Sequence, residues 1–198
     1  MSTNQATYTQ ASATTLDNFV RVYDAAMPSS VCERLIDTFE NFTEHQVLNG
    51  RTVRSGLEGS QWTEMDIGKL ANRELKQQFH QWIQEYKARY EADCGMVESL
   101  PAPGGYAQLI MKRYHADGNE GFQTHFDSLR DVSNRYLVIL WYLNDVAEGG
   151  ETYFNDLDTG VSPRTGRLLM FPPYWMYRHT AIPPKSNAKY ILSTYLLW

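Results

Sequence analysis

Cysteine is scarce in this chain. Its 198 residues include only two, Cys32 and Cys94. That is too few for a disulfide framework, and two reduced thiols in a cytoplasmic protein are the expected state. Long hydrophobic runs are missing as well. The most extended, YLVILWYL from Tyr136 to Leu143, has the length of a strand and not of a bilayer span, so no membrane partner is expected. Positive charge is not in excess: 18 Lys and Arg stand against 23 Asp and Glu, a formal net charge of -5. This argues against a nucleic-acid backbone as the main partner. The sequence shows no internal repeat, no linker between domains and no low-complexity block after the N-terminal tail. The stretch MSTNQATYTQASATT lacks the basic start and apolar core of a signal peptide. It is polar and rich in Ser and Thr, so residues 1–15 are expected to be a disordered tail. Residues 16–198 then form a single domain, long enough to bury a sizeable core.

What the chain does have is aromatic residues: 13 Tyr, 8 Phe and 5 Trp, a composition that suits pleated surfaces. The first half reads as helical. In PSSVCERLIDTFENF, Ser30 and Glu33 have capping-box spacing, and Cys32, Leu35, Ile36 and Phe39 recur at helical intervals. A longer helix is expected from about Asn72 to Glu91, with Leu75, Phe79, Trp82, Ile83, Tyr86 and Tyr90 as its apolar stripe. The second half reads as strands separated by turns: YAQLIMKRY with Ala107, Leu109 and Met111 on one face, then FQTHFD, RYLVILWYLN, ETYF, RLLMFP, YRHTAI and KYILSTYLL. HADGNEG between the first two is a loop by its Asp-Gly content. Short strands with turns and no intervening helices point to an antiparallel sandwich or barrel. Helices first and strands later make an α+β layout, with the helices packed on one side.

The chemistry starts from THFDSL. If the strand continues through it, His125 and Asp127 point the same way and form two parts of a metal site. A second His-x-Asp, His115 and Asp117, sits in HADGN, where turn geometry breaks the alternation. His45 and His80 belong to the helical half. That leaves His179, in YRHTAI, as the third ligand, brought to the pair by antiparallel pairing of distant strands. Two imidazoles and one carboxylate form a facial set with open positions, whose usual tenant is non-haem Fe(II). Zinc is the rival ion, although catalytic zinc more often takes three histidines or a helical pair. NDLDTG has the look of a calcium loop, but its glycine is misplaced and Arg167 falls where the last acidic ligand belongs; it reads as a turn.

In order along the chain stand KRY before a Gly-containing loop, HFD, RYLVILWYLNDVAEGGETYF, GRLLMF, RHTA and KY. From about Leu109 to Leu196 this series resembles the 2-oxoglutarate- and Fe(II)-dependent dioxygenases, most of all the prolyl 4-hydroxylase branch. YLNDVAEGGETYF is its most specific part. LDNFVRVYDAAMPSSVCERLI resembles the family's helical entry more loosely. The resemblance implies a double-stranded β-helix, or jelly roll, with supporting N-terminal helices. It implies that His125, Asp127 and His179 ligate iron, and that Lys189, ten positions after His179, pairs with the far carboxylate of 2-oxoglutarate. Tyr114 and Thr152 match residues near the cosubstrate, although the loop after Tyr114 is about two residues longer than in the family. Arg135 matches an arginine that holds peptide substrate. Phe122 stands where relatives carry a tyrosine, and Tyr195 and Leu197 replace a tryptophan and a histidine of some peptide-binding relatives.

The implied reaction consumes O2 and 2-oxoglutarate, yields succinate and CO2, and hydroxylates an unactivated C–H bond, most simply C4 of proline in a peptide or protein. Ascorbate is the expected reductant. A carboxylate at Asp127 fills the position that halogenating relatives leave free for chloride. Two other readings remain at this stage. One keeps the cofactors but changes the substrate to another side chain, a free amino acid or a small metabolite. The other is a jelly-roll protein that binds metal or ligand without turnover. The polar segment 128–134, beside the ligands, is a candidate lid.

Overall fold

A computed structural model describes residues 16–198 except residue 118; the expected disorder of residues 1–15 concerns residues outside this range. Among the described residues twelve strands are present: β1 (Arg21–Tyr23), β2 (Val47–Gly50), β3 (Gln61–Asp66), β4 (Gly105–Tyr106), β5 (Ile110–Tyr114), β6 (Phe122–His125), β7 (Arg135–Tyr142), β8 (Thr152–Phe154), β9 (Thr159–Val161), β10 (Leu168–Phe171), β11 (His179–Ala181) and β12 (Lys189–Leu197). The α-helices are α1 (Ser29–Asn41), α2 (Ile67–Leu70) and α3 (Arg73–Asp93). All the strand pairings are antiparallel. The large sheet runs β1-β10-β7-β12-β5-β3-β2, with β4 added on β12, and the small sheet runs β6-β11-β8-β9. This is the jelly-roll arrangement expected from the sequence: two facing sheets around an interior, with helices outside.

Strand alternation explains why YLVILWYL is apolar throughout. From Leu137 onward its side chains split by parity into two cores. Leu137, Ile139 and Trp141 face outward and pack with Met170, Leu192 and the helical residues Leu35, Phe39, Phe79 and Ile83. Val138, Leu140 and Tyr142 face inward with Leu169, Phe171, Ile191, Phe154 and Trp62. β7 therefore has no solvent face, and the period of two shows in which core each residue joins, not in polarity.

α3 forms as the sequence indicates, one residue later than expected at its start and two at its end. Asn72 is its N-cap, with its side chain accepting from the Leu75 N–H at 2.9 Å. Phe79, Ile83, Tyr86 and Tyr90 of the expected stripe are buried. The capping box at Ser30 and Glu33 does not form. α1 begins a residue earlier, at Ser29 after Pro28, with no side-chain cap, because proline already presets the entry dihedral.

Three further differences concern strands. β1, β2 and β3 lie in the half read as helical; β3 carries Trp62 and Met65 into the cores and extends the large sheet beside β5. YAQLIMKRY is broken into β4 and β5. The turn read in NDLDTG is present, but Thr159–Val161 after it pairs with β8 as β9. Cys32 and Cys94 are free thiols, the first buried and the second half-buried. Among the described residues no helix is long and apolar enough to cross a membrane.

Candidate active site

The small sheet brings the two distant histidines together. β6 and β11 pair so that His125 and His179 are cross-strand partners, with ring centroids 4.3 Å apart. The strand does not run on to Asp127, as the sequence reading supposed. β6 ends at His125, and the Asp127 N–H turns to donate to the Pro173 carbonyl at 3.0 Å. The carboxylate nonetheless arrives between the rings. Its Oδ1 lies 3.6 Å from His125 Nε2 and its Oδ2 lies 3.6 Å from His179 Nε2. One donor atom from each residue fits within 4.8 Å of the others. These gaps are too long for hydrogen bonds and suit three donors around a shared ion. His115 and Asp117 take no part. His115 is exposed, and its backbone N–H donates to Glu120 Oε2 at 2.8 Å.

The surroundings fix how the donors present themselves. His125 Nδ1 lies 2.8 Å from the Gln123 carbonyl and His179 Nδ1 lies 3.1 Å from the Tyr177 carbonyl. A carbonyl only accepts, so each Nδ1 carries the proton and each Nε2 keeps its lone pair free for a metal. Burial, helped by neighbouring His125, pushes the His179 pKa down to about 4, which keeps it a neutral ligand near pH 7. Burial would raise the Asp127 carboxyl, but His179, His125 and the Tyr195 hydroxyl outweigh it and hold the group below the usual carboxylate range. Tyr195 donates to Asp127 Oδ1 at 2.9 Å. Arg135 donates to the Asp127 carbonyl at 3.2 Å and lays its guanidinium over the Tyr195 ring at 3.8 Å. Arg135 and Tyr195 therefore brace the acid, and Tyr195 also borders the cavity. A neutral, oriented imidazole pair and a braced carboxylate fit a divalent iron centre.

Beside the donors is a cavity of about 40 Å³, lined by Lys112, Tyr114, Phe122, Leu140, Phe171, Ile191, Ser193 and Tyr195 among others. Strand alternation selects this wall: Ile191, Ser193 and Tyr195 on β12, and Lys112 and Tyr114 on β5. Lys189 continues the same face but is not part of the lining. It is 1% exposed, and its ammonium donates to the Gly150 carbonyl at 2.9 Å and stands 4.6 Å from the Tyr114 ring centre. Burial pushes its pKa down to about 7, against the pull of Glu151. Among the described residues no carboxylate lies within salt-bridge distance of this deep lysine, so an anion brought in from outside would complete it. Thr152 is also buried and accepts from the Tyr142 hydroxyl at 2.6 Å.

Several site residues escaped the sequence reading. Lys112 had a signal, since it stands two positions before Tyr114 and shares its face; attention to Ala107, Leu109 and Met111 favoured the other side. Trp62 and Glu64 were hidden because β3 itself was not recognised. Phe122 stacks on His125 at 3.9 Å and on Trp62 at 4.7 Å between ring centres and lines the cavity. Tyr142 was masked by the uniform apolarity of β7.

Comparison with known proteins agrees with this geometry. Residues 109–197 match the family model described as the 2OG-Fe(II) oxygenase superfamily. No match was found among curated proteins. Among solved structures, the chain is similar to a viral collagen prolyl hydroxylase from Paramecium Bursaria Chlorella virus-1 in its 2OG complex, at 18% identity and a TM-score of 0.64, covering 90% of this chain and 95% of that one. It is also similar to a Pseudomonas putida prolyl-4-hydroxylase, at 17% identity and 0.64, covering 90% and 92%. A third is a Trichoplax adhaerens prolyl hydroxylase in complex with a hypoxia inducible factor oxygen degradation domain peptide fragment, at 18% identity and 0.66, covering 91% and 84%. At these identities the structures establish a shared fold.

Proposed function

We propose that this chain, whose residues 109–197 match the family model of the 2OG-Fe(II) oxygenase superfamily, is a 2-oxoglutarate-dependent dioxygenase that hydroxylates C4 of proline in a peptide or protein. The observation that carries the reading is the convergence of His125, Asp127 and His179 within 4.8 Å beside a buried lysine that lacks a carboxylate partner. The prolyl hydroxylases of similar fold, one of them holding a peptide, support the choice of substrate.

Ferrous iron, when bound with 2-oxoglutarate and O2, supplies the oxidising power that yields succinate and CO2 and places one oxygen atom in a C–H bond. The protein's residues set the terms. His125 and His179 would offer the ion Nε2 from a fixed tautomer, and Asp127 would offer a carboxylate, beside the cavity. Tyr195 and Arg135 keep the acid oriented. Lys189 supplies the positive end for the far carboxylate of 2-oxoglutarate by leaving the Gly150 carbonyl, and a charge-assisted pair in this dry setting offsets the cost of burying both charges. Tyr114, beside that amine, and Thr152, held by Tyr142, complete the polar end. Phe171, Leu140, Val138 and Ile191 exclude water around it. Ascorbate serves as the reductant that keeps the iron ferrous.

The test supplies Fe(II), ascorbate and 2-oxoglutarate with a panel of proline-containing peptides, and measures succinate and the mass gain of one oxygen atom. Succinate coupled to a modified proline is the expected result. Modification of a free amino acid but of no peptide would move the activity to a small substrate. Normal metal content with no succinate under any condition would leave a binding protein without turnover.

A further inference from the structure

Lys112 is the charged group on the cavity wall that the metal and cosubstrate contacts leave unused. It projects from β5, between Glu64 of β3 and Ile191 of β12 in the register of the large sheet. Its ammonium lies over Trp62, 5.2 Å from the ring centre, and over Phe122 at 5.6 Å. Those rings stack on each other and Phe122 stacks on His125, so the cation sits on a rigid aromatic shelf that ends at a metal donor. Among the described residues it has neither a hydrogen-bond acceptor nor a carboxylate within salt-bridge distance.

The acids that could have paired with it are committed elsewhere. Glu64 accepts from Trp62 Nε1 at 2.6 Å and from Asn49 Nδ2 at 2.9 Å. Asp127 belongs to the donor set. Beyond those two acids, the charges near enough to act on Lys112 include the cations Arg135, Arg54 and Lys189. Apart from the metal donors, Lys112 is, among the described residues, the one charged side chain on that wall, whose other residues are aromatic, aliphatic or, at Ser193, Tyr114 and Tyr195, hydroxyl-bearing. A half-buried ammonium held by rings alone is completed by an anion from outside.

We infer that Lys112 selects the substrate by pairing with a carboxylate on it, either an acidic side chain near the target residue of a peptide or the free carboxylate of a small amino acid. This rests on the oxygenase reading and sharpens its substrate class. The aromatic shelf sets where that carboxylate stands relative to the metal donors. The target carbon therefore lies a short, fixed distance from an acid, and neutral analogues lose the contact.

The experiment has two arms with Fe(II), ascorbate and 2-oxoglutarate. In the first, a randomised library of blocked, proline-centred peptides is incubated and the oxygen-bearing products are sequenced by mass spectrometry. In the second, free L-proline is compared with L-prolinamide. The wild-type protein is expected to enrich Asp and Glu in the first arm, or to prefer the acid over the amide by about tenfold in the second. Lys112→Gln should erase that preference and Lys112→Arg should retain it, with far-ultraviolet circular dichroism confirming that both variants fold. Equal use of charged and neutral members, a preference that survives Lys112→Gln, or succinate without a modified product in either arm would overturn the inference. So would Lys112→Gln raising the 2-oxoglutarate KM with selectivity unchanged, which would assign Lys112 to the cosubstrate. No succinate from wild-type protein in either arm would instead sink the proline reading on which the inference rests.

Discussion

The sharpest expectations attach to single side chains. His179→Ala removes a donor that no neighbour replaces. Loss of a residue that merely braces a ligand costs about 10–100-fold, so removing the ligand should cut succinate formation by more than about a hundredfold and abolish stoichiometric metal uptake in calorimetry. Tyr195→Phe removes the hydroxyl on Asp127 Oδ1 and should weaken metal affinity by about tenfold without unfolding the protein. Lys189 gives a pH signature. Its folded pKa, about 7, lies below the ordinary lysine value, so the folded protein sheds this proton before the unfolded chain does. The stability cost of the buried charge is in full force below about pH 7 and is relieved as pH rises toward the ordinary lysine range. Cosubstrate pairing requires the charged form, so 2-oxoglutarate affinity should fall by about tenfold per pH unit above about 7. Lys189→Arg, charged throughout, should flatten that profile; an unchanged slope would reject Lys189 as the carboxylate partner. At this scale the sequence was legible in which residues converge, His125, Asp127 and His179, although the strand alternation that paired His125 with Asp127 does not hold, since β6 ends at His125. It was least legible where a role depends on an unseen neighbour, as with Lys112, whose aromatic shelf comes from a strand that the sequence did not reveal.

Elements were legible in proportion to how one-sided they are. α3 meets solvent on one flank and core on the other, so Leu75, Phe79, Trp82, Ile83, Tyr86 and Tyr90 declared it. Asn72→Ala should remove its cap and destabilise the protein by about 1 kcal/mol in urea unfolding. β3 is short, mixes Gln, Glu and Asp with Trp and Met, and has a burial pattern that does not alternate cleanly, so nothing marked it as a strand. Its place is set by pairing with β5, a tertiary matter. Turns behave differently, because some backbone positions admit one residue only. Gly149 has φ +73°, and a Cβ there would stand 2.4 Å from the Pro183 carbonyl oxygen. Gly149→Ala should cost about 1–3 kcal/mol, visible as a lower denaturation midpoint with an unchanged m-value.

For the whole molecule, the decisive property is that β7 separates two cores. The helix-side cluster is large and independent of the metal donors, while the inner cluster carries the site. Chelation of the metal should therefore leave the fold standing and lower its stability only by the binding term. At ligand concentrations near a hundred times Kd that term is about 2.7 kcal/mol. The melting temperature should rise by a few degrees when Fe(II) and 2-oxoglutarate are added under anaerobic conditions, and EDTA should reverse the rise. A loss of far-ultraviolet circular dichroism on chelation would mean that the inner cluster depends on metal to fold. The α+β layout with an antiparallel sandwich or barrel was readable because turn residues punctuate the second half so regularly; the jelly roll itself came from the family resemblance. The extra strands of the first half were not readable, since they only enlarge a sheet already complete in outline.

One ladder, β6 against β11, carries both imidazoles as direct partners. Neighbouring positions on a strand face opposite ways, so inserting a single residue just before His179 would rotate that ring out of the barrel and put another side chain in its place. The centre could thus be silenced by lengthening the chain, with every one of its donor atoms still present.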